Sequence, residues 1–182
     1  MAELPNAAPG LPGCRELQGL HGATVRHFAG DESAALALTA IGLPGLPSPG
    51  VLAAAGDSGP WLAWRAPQES VLLSLDAAPV RALLQALEPG RSETAMAADL
   101  GDAAAAYELH GPRIDDWLAH LVDADAIPRE PGRATRARLI DVSVLLLRLA
   151  PERLWLLGDR PIAAYLRNWL AFSHQGAFST RP

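Results

Sequence analysis

Two stretches of the chain share one hydrophobic grammar. Residues 62–73, LAWRAPQESVLL, and residues 145–157, LLLRLAPERLWLL, both run apolar, reach an Arg, turn on Ala-Pro with an acidic residue, and run apolar again. The apolar runs predict strands, and the Pro-containing turns predict hairpins. After the first hairpin, Asp76 stands at an N-cap position, and Val80, Leu83, Leu84 and Leu87 follow at helical spacing. Pro79 falls in the first turn, where a missing amide hydrogen costs little. After the second hairpin, Asp159 and Pro161 play the same parts, ahead of a stripe of Ile162, Tyr165, Leu166, Trp169 and Leu170.

A weaker third copy lies between them. ETAMAADL (93–100) and AAAAYELH (103–110) are strand candidates around Gly101, although a polyalanine run is also compatible with helix. Gly111-Pro112 then opens a helix with Ile114, Trp117, Leu118, Leu121 and Val122 on one face. An earlier strand, ATVRHF (23–28), leads to a helix capped by Asp31 and closed by Gly42. GLPGLPSPG (42–50) reads as a surface loop. The stretch RARLIDVSVLLLRL reads as one long strand run entering the last hairpin. The fold class expected is therefore α+β, with repeated strand-strand-helix units forming ferredoxin-like antiparallel sheets with helices on one face. Residues 1–20 read as a flexible Pro/Gly-rich tail, or an arm that hugs a partner. Residues 21–182 read as a single domain of two packed halves, about 21–90 and 91–174.

Composition then removes whole classes of chemistry. All fifteen basic side chains are Arg, which a GC-rich bacterial genome explains by codon usage. Without Lys there is no Schiff base, no pyridoxal-phosphate anchor and no Walker A lysine. The net charge of −5 argues against general nucleic-acid binding. Cys14 is the one cysteine, so no internal disulfide or CxxC site exists. The longest greasy stretch, VSVLLL (142–147), ends at Arg148, so no membrane span is expected. The N-terminal residues lack the pattern of a signal peptide, and a cytoplasmic location is expected. No GxGxxG fingerprint is present, and the prolines at 44, 47 and 49 leave the Gly-rich loop few amides for a phosphate.

The order of these segments resembles the gamma subunit of heterotetrameric sarcosine oxidase. The residues that carry it are ATVRHFAGDESAALALTAIGLPGLPSPG, the hairpin WLAWRAPQESVLL, the segment YELHGPRIDDWLAHLV, and RARLIDVSVLLLRLAPERLWLLGDRPIAAYLRNWL. The likeness spans about residues 23–172. Ala66-Pro67-Gln68-Glu69 stands where the family has Gly-Pro-Asp-Glu, Val71 replaces a Trp, Ala137 a Thr and Ser143 a Pro. The resemblance implies a fold like the N-terminal, folate-binding part of the glycine-cleavage T-protein. It implies a non-catalytic accessory subunit of a complex that demethylates sarcosine or a related N-methyl amine. FAD, FMN, NAD and tetrahydrofolate would then sit on alpha, beta and delta partner subunits, with no cofactor, metal or catalytic residue on this chain. The alternative is a stand-alone folate-binding or aminomethyltransferase-like protein. The chain is about half the length such enzymes need, and it lacks the Lys and Cys of the related iron–sulfur maintenance proteins.

Candidate sites are few. His21 and His27 are too far apart in sequence for a metal pair, and His110, His120 and His174 have no partners at metal spacing. Asp115 and Asp116 read as a solvated helix face. Asp141, between Ile140 and Val142, either faces solvent or needs an Arg partner in the sheet, and the solvent reading is preferred. Trp61 and Trp64 lie an odd number apart, so one of them could await a partner on a sheet face. Arg129, Arg133, Arg136 and Arg138 form a basic run. Arg133, Arg136, Arg138 and Trp61 are the expected partner interface, with Arg as the better interface cation.

Overall fold

The computed structural model describes residues 2–28, 31–88 and 94–178. It forms two compact units, one from Gln18–Gly101 and the other from Met1–Leu17 with Asp102–Pro182. Each unit holds one five-stranded sheet, and every paired strand is antiparallel.

In the unit Gln18–Gly101 the strands are β2 (His21–His27), β3 (Leu52–Ala54), β4 (Trp61–Ala66), β5 (Glu69–Ser74) and β6 (Ala95–Asp99), in the order β3-β4-β5-β2-β6. Helix α1 (Glu32–Ala40) begins where Asp31 accepts from the Ala34 amide at 2.9 Å. Hydrogen bonds from Thr94 and the Ala34 amide hold the Asp31 carboxyl below its ordinary value. Helix α2 (Ala77–Ala86) begins where Asp76 accepts from the Ala78 amide at 3.0 Å. Ala34, Ala37 and Leu38 of α1 and Val80 and Leu83 of α2 pack on Ala23, Val25, Leu62, Leu72, Ala95 and Ala97 of the sheet.

The other unit contains β1 (Gly13–Glu16), β7 (Ala104–His110), β8 (Arg133–Leu139), β9 (Val142–Ala150) and β10 (Arg153–Asp159), ordered β1-β7-β10-β9-β8. Helix α3 (Ile114–Leu118) is short, and α4 (Ala163–Phe178) follows a single 3-10 turn after β10. The core gathers Tyr107, Leu109, Val144, Leu146, Leu154 and Leu156 against Trp117, Leu166 and Leu170. Leu145, Leu147, Trp155 and Leu157, on the opposite face of the sheet, are buried as well. That is why β9 and β10 read as unbroken apolar runs, not as alternation.

The two sheets have one plan. Strand β7 matches β2, β8 matches β3, the hairpin β9–β10 matches β4–β5, and the helices follow in the same places. In the place that β6 takes beside β2, the second unit puts β1 beside β7. The repeat is therefore a whole layer occurring twice. The hairpins at Pro67–Gln68 and Pro151–Glu152 form as expected, each with a register shift near its turn. The middle copy does not: β6 pairs with β2 and β7 with β1 and β10, in different sheets. The boundaries expected near residues 20 and 90 move accordingly. The long run at 136–149 is also two strands, β8 and β9, joined by a tight turn at Ile140–Asp141.

Within the N-terminal segment, expected to be a flexible tail or a partner-hugging arm, Gly13–Glu16 form a sheet strand. Cys14 is buried opposite Leu109, and Leu17 N–H donates to the Ala106 carbonyl at 2.9 Å. A Cβ on Gly13 would lie 2.4 Å from the Ala7 backbone nitrogen, so only glycine lets the segment double back there. Glu16 accepts from Arg160 at 3.2 Å and from Arg167. The clamp is Glu108 of β7, which is buried. It accepts from Arg15 Nη2 at 2.6 Å, Arg153 Nε at 2.7 Å and the Trp155 indole at 2.8 Å, tying β1, β7 and β10 across one row. Burial pushes its carboxyl up, but the bonds from Trp155, Arg153 and Arg15 outweigh that and leave it below the ordinary range.

Glu108→Ala leaves the Trp155 indole N–H buried without its acceptor, and should cost about 1–3 kcal/mol in urea unfolding at neutral pH. The folded-state value of Glu108 lies below its unfolded value of about 4.3, so its contribution is complete above about pH 5 and is lost as pH falls through the folded value. The stability gap between wild type and variant should thus shrink under acid; a gap that widens there contradicts the clamp. Burial pushes the Cys14 thiol up to about 12, so an aromatic disulfide reagent at pH 8 should modify the native chain only at the pace of its unfolding. Ile140 holds φ at 52° in the β8–β9 turn, a costly conformation for a β-branched side chain. Ile140→Gly should raise stability by about 1 kcal/mol, the relief of strain exceeding the entropy cost of glycine; a loss of that size in thermal unfolding would contradict it.

Candidate functional site

The basic run lands on an edge strand. Arg133, Arg136 and Arg138 all lie on β8, which ends the order of its sheet, and all three are exposed. Ala137 and Leu139 face the core, so Arg136 and Arg138 share the opposite face. Arg136 Nε donates to Ser143 Oγ at 2.9 Å, and Arg138 Nε donates to the Ile140 carbonyl at 3.2 Å. Both partners are neutral, so neither guanidinium is paired with a carboxylate among the described residues. Arg129 lies exposed in the loop before β8.

Most other arginines are matched. Arg15 and Arg153 meet Glu108, Arg26 and Arg65 meet Glu69, Arg113 meets Asp116, and Arg160 and Arg167 meet Glu16. Arg148 is 1% exposed, donates to the Pro128 and Pro151 carbonyls at 2.8 and 3.0 Å, and pairs with Asp115. Among the described residues, only Arg81 on α2 joins Arg129, Arg133, Arg136 and Arg138 in making no ion pair.

The turn that ends β8 adjoins an aromatic ridge. Tyr165 Oη donates to Asp141 at 3.2 Å, and its ring meets Trp169 edge-on with centroids 6.2 Å apart. Trp169 meets Phe172 at 5.8 Å. Phe172 is 67% exposed and Ile140 38% exposed.

The remaining sequence candidates separate. Asp141 sits in the exposed turn, as the solvent reading had it, though not within a strand. Asp115, read as part of a solvated face, is instead the carboxylate of the buried Arg148. The signal was present in the chain: an Arg inside VLLLRL must lie in an apolar layer and needs acceptors there. Trp61 is 4% exposed, so its ring is not open to a partner. A Cβ on Gly59, at φ 84°, would stand 2.6 Å from that ring, which holds Trp61 against the turn before β4. His21 and His27 fall at opposite ends of β2. Among the described residues, no three metal-ligating side chains converge, and no helix is long and apolar enough to cross a membrane.

No family model and no curated protein matches the chain. Among solved structures, a chain of heterotetrameric sarcosine oxidase from Corynebacterium sp. U-96, in complex with pyrrole 2-carboxylate, superposes with a TM-score of 0.82 and 26% identity. The match covers 97% of this chain and 90% of that one. Glycine cleavage system aminomethyltransferase T from Bartonella henselae superposes with a TM-score of 0.61 and 15% identity over 88% of this chain, which spans 45% of that one. The α+β layers of antiparallel sheet are thus a shared fold, and the likeness to a chain of heterotetrameric sarcosine oxidase extends over nearly the whole molecule.

Proposed function

We propose that this chain is a non-catalytic accessory subunit of a heterotetrameric flavoenzyme of the sarcosine-oxidase type, acting on sarcosine or a related N-methyl amine. The observation that carries the reading is the superposition on a chain of such an oxidase along almost the full length of both. The side chains inside the molecule support it. Glu108, Glu16 and Arg148 all join strands or loops to one another, and the Cys14 thiol is buried with its proton held. FAD, FMN, NAD and tetrahydrofolate then belong to the alpha, beta and delta partners. Arg133, Arg136 and Arg138 provide the charged contact to an acidic face of a larger subunit, because they are exposed and lack internal carboxylates.

Co-expression of the full chain with alpha, beta and delta subunits of this type should give a stable complex that retains it through size exclusion at physiological salt. Arg136→Glu with Arg138→Glu should weaken that retention while leaving the circular dichroism of the chain unchanged. A fluorescence titration with tetrahydrofolate should show no saturable binding to the chain alone. Saturable binding there, with no complex formed, would favour the stand-alone folate protein instead.

A further inference from the structure

The β8 edge has more than charge to offer. The two-residue turn makes Leu139 and Val142 a hydrogen-bonded pair, so Ala137 and Thr135 also bond inward to β9. The N–H and C=O groups of Arg136 and Arg138 therefore point away from the sheet. The same alternation sends the Ile140 amide outward, where it donates to the Leu121 carbonyl at 3.0 Å. Among the described residues, no backbone hydrogen bond reaches the outward groups of Arg136 and Arg138. An unpaired strand edge is a template for another strand.

Resting on the subunit reading above, we infer that this edge takes an extended acidic segment of a partner subunit as an added β-strand, its carboxylates at alternate positions over Arg136 and Arg138. Backbone hydrogen bonds to Arg136 and Arg138 supply the pairing, and alternating side chains supply the selectivity. Charge decides the occupant. A second copy of β8 would set Arg against Arg in a layer that has no carboxylate partner for them, which opposes association. A strand with Glu or Asp at every second residue neutralises both guanidiniums. Ile140, exposed in the turn, gives the end of the strand an apolar side chain, and Tyr165 of α4 reaches the same turn through Asp141. The strained backbone of Ile140 fits this use: a β-branched residue kept at φ 52° and left exposed contributes little to folding, but gives the edge an apolar end.

The test compares hydrogen exchange of the full chain alone and in the purified complex with the alpha, beta and delta subunits. Strand addition predicts that the amides of Arg136 and Arg138 exchange at least about tenfold more slowly in the complex, as other paired edges do. Arg136→Pro removes one outward N–H at a position that an edge strand tolerates. It should weaken binding at least about tenfold beyond Arg136→Gln, which removes only the charge. Arg81→Glu should leave binding unchanged, and thermal unfolding of each variant shows that it folds. A complex that forms with the β8 amides exchanging as fast as in the free chain overturns the inference and leaves the subunit reading intact. Protection of these amides in the chain alone at high concentration makes a second copy the occupant and overturns it also. Failure to form any complex overturns both readings.

Discussion

The sheet of the second unit depends on one carboxylate. Glu108 stands in the middle of a row that crosses β1, β7 and β10, and it takes hydrogen bonds from a side chain on each neighbour. A buried carboxylate is costly unless its oxygens are satisfied, and here Oε1 and Oε2 are divided between Arg15 on one side and Arg153 with Trp155 on the other. The arrangement works in both directions. Burying Glu108 requires β1 to bring Arg15, and β1 has only four residues of ladder to hold it. Glu16 repeats the logic one residue on, with Arg160 and Arg167 as its donors. The N-terminal segment is therefore fixed by charge as much as by hydrogen-bonded backbone.

How much of this was legible in the chain depends on distance along it. The hairpins at Ala66–Glu69 and Ala150–Arg153 are local, and Pro in a two-residue turn between apolar runs marked both. The caps at Asp31 and Asp76 are local too, and both accept the amides expected of them. The middle hairpin failed because strand proximity in sequence does not specify pairing. Residues 95–99 and 104–110 are adjacent, yet each finds a better neighbour far away in sequence. The same limit hid β1: GCRE carries no apolar run, and its place is set by Glu108, about ninety residues on. The turn at Ile140–Asp141 was missed for a different reason. Ile is a strand former and is strongly disfavoured at positive φ, so local preference pointed the wrong way.

The basic run was visible in sequence, but its meaning was not. Four arginines in ten residues are more commonly a solvated connecting loop than an interface. The structure changes that by placing three of them on an edge strand and by showing where the acids are. Asp115, Glu16, Glu69 and Glu108 are each taken by arginines other than those of β8. Arg148 had the opposite history: it looked like the end of an apolar stretch and proved to be a buried anchor with three acceptors.

Charged residues on an edge strand have a plain protective role, since they discourage pairing between copies. Protection alone does not account for what surrounds β8. A gatekeeping Arg needs only to be exposed, and gains nothing from an exposed Ile at φ 52° at the end of its strand. An exposed apolar side chain at an open edge raises the risk that the charges are supposed to lower. Both features are consistent if the edge rejects its own kind and admits a strand of opposite charge. The repulsion then keeps free chains apart until that strand arrives, and Ile140 is covered only once it has.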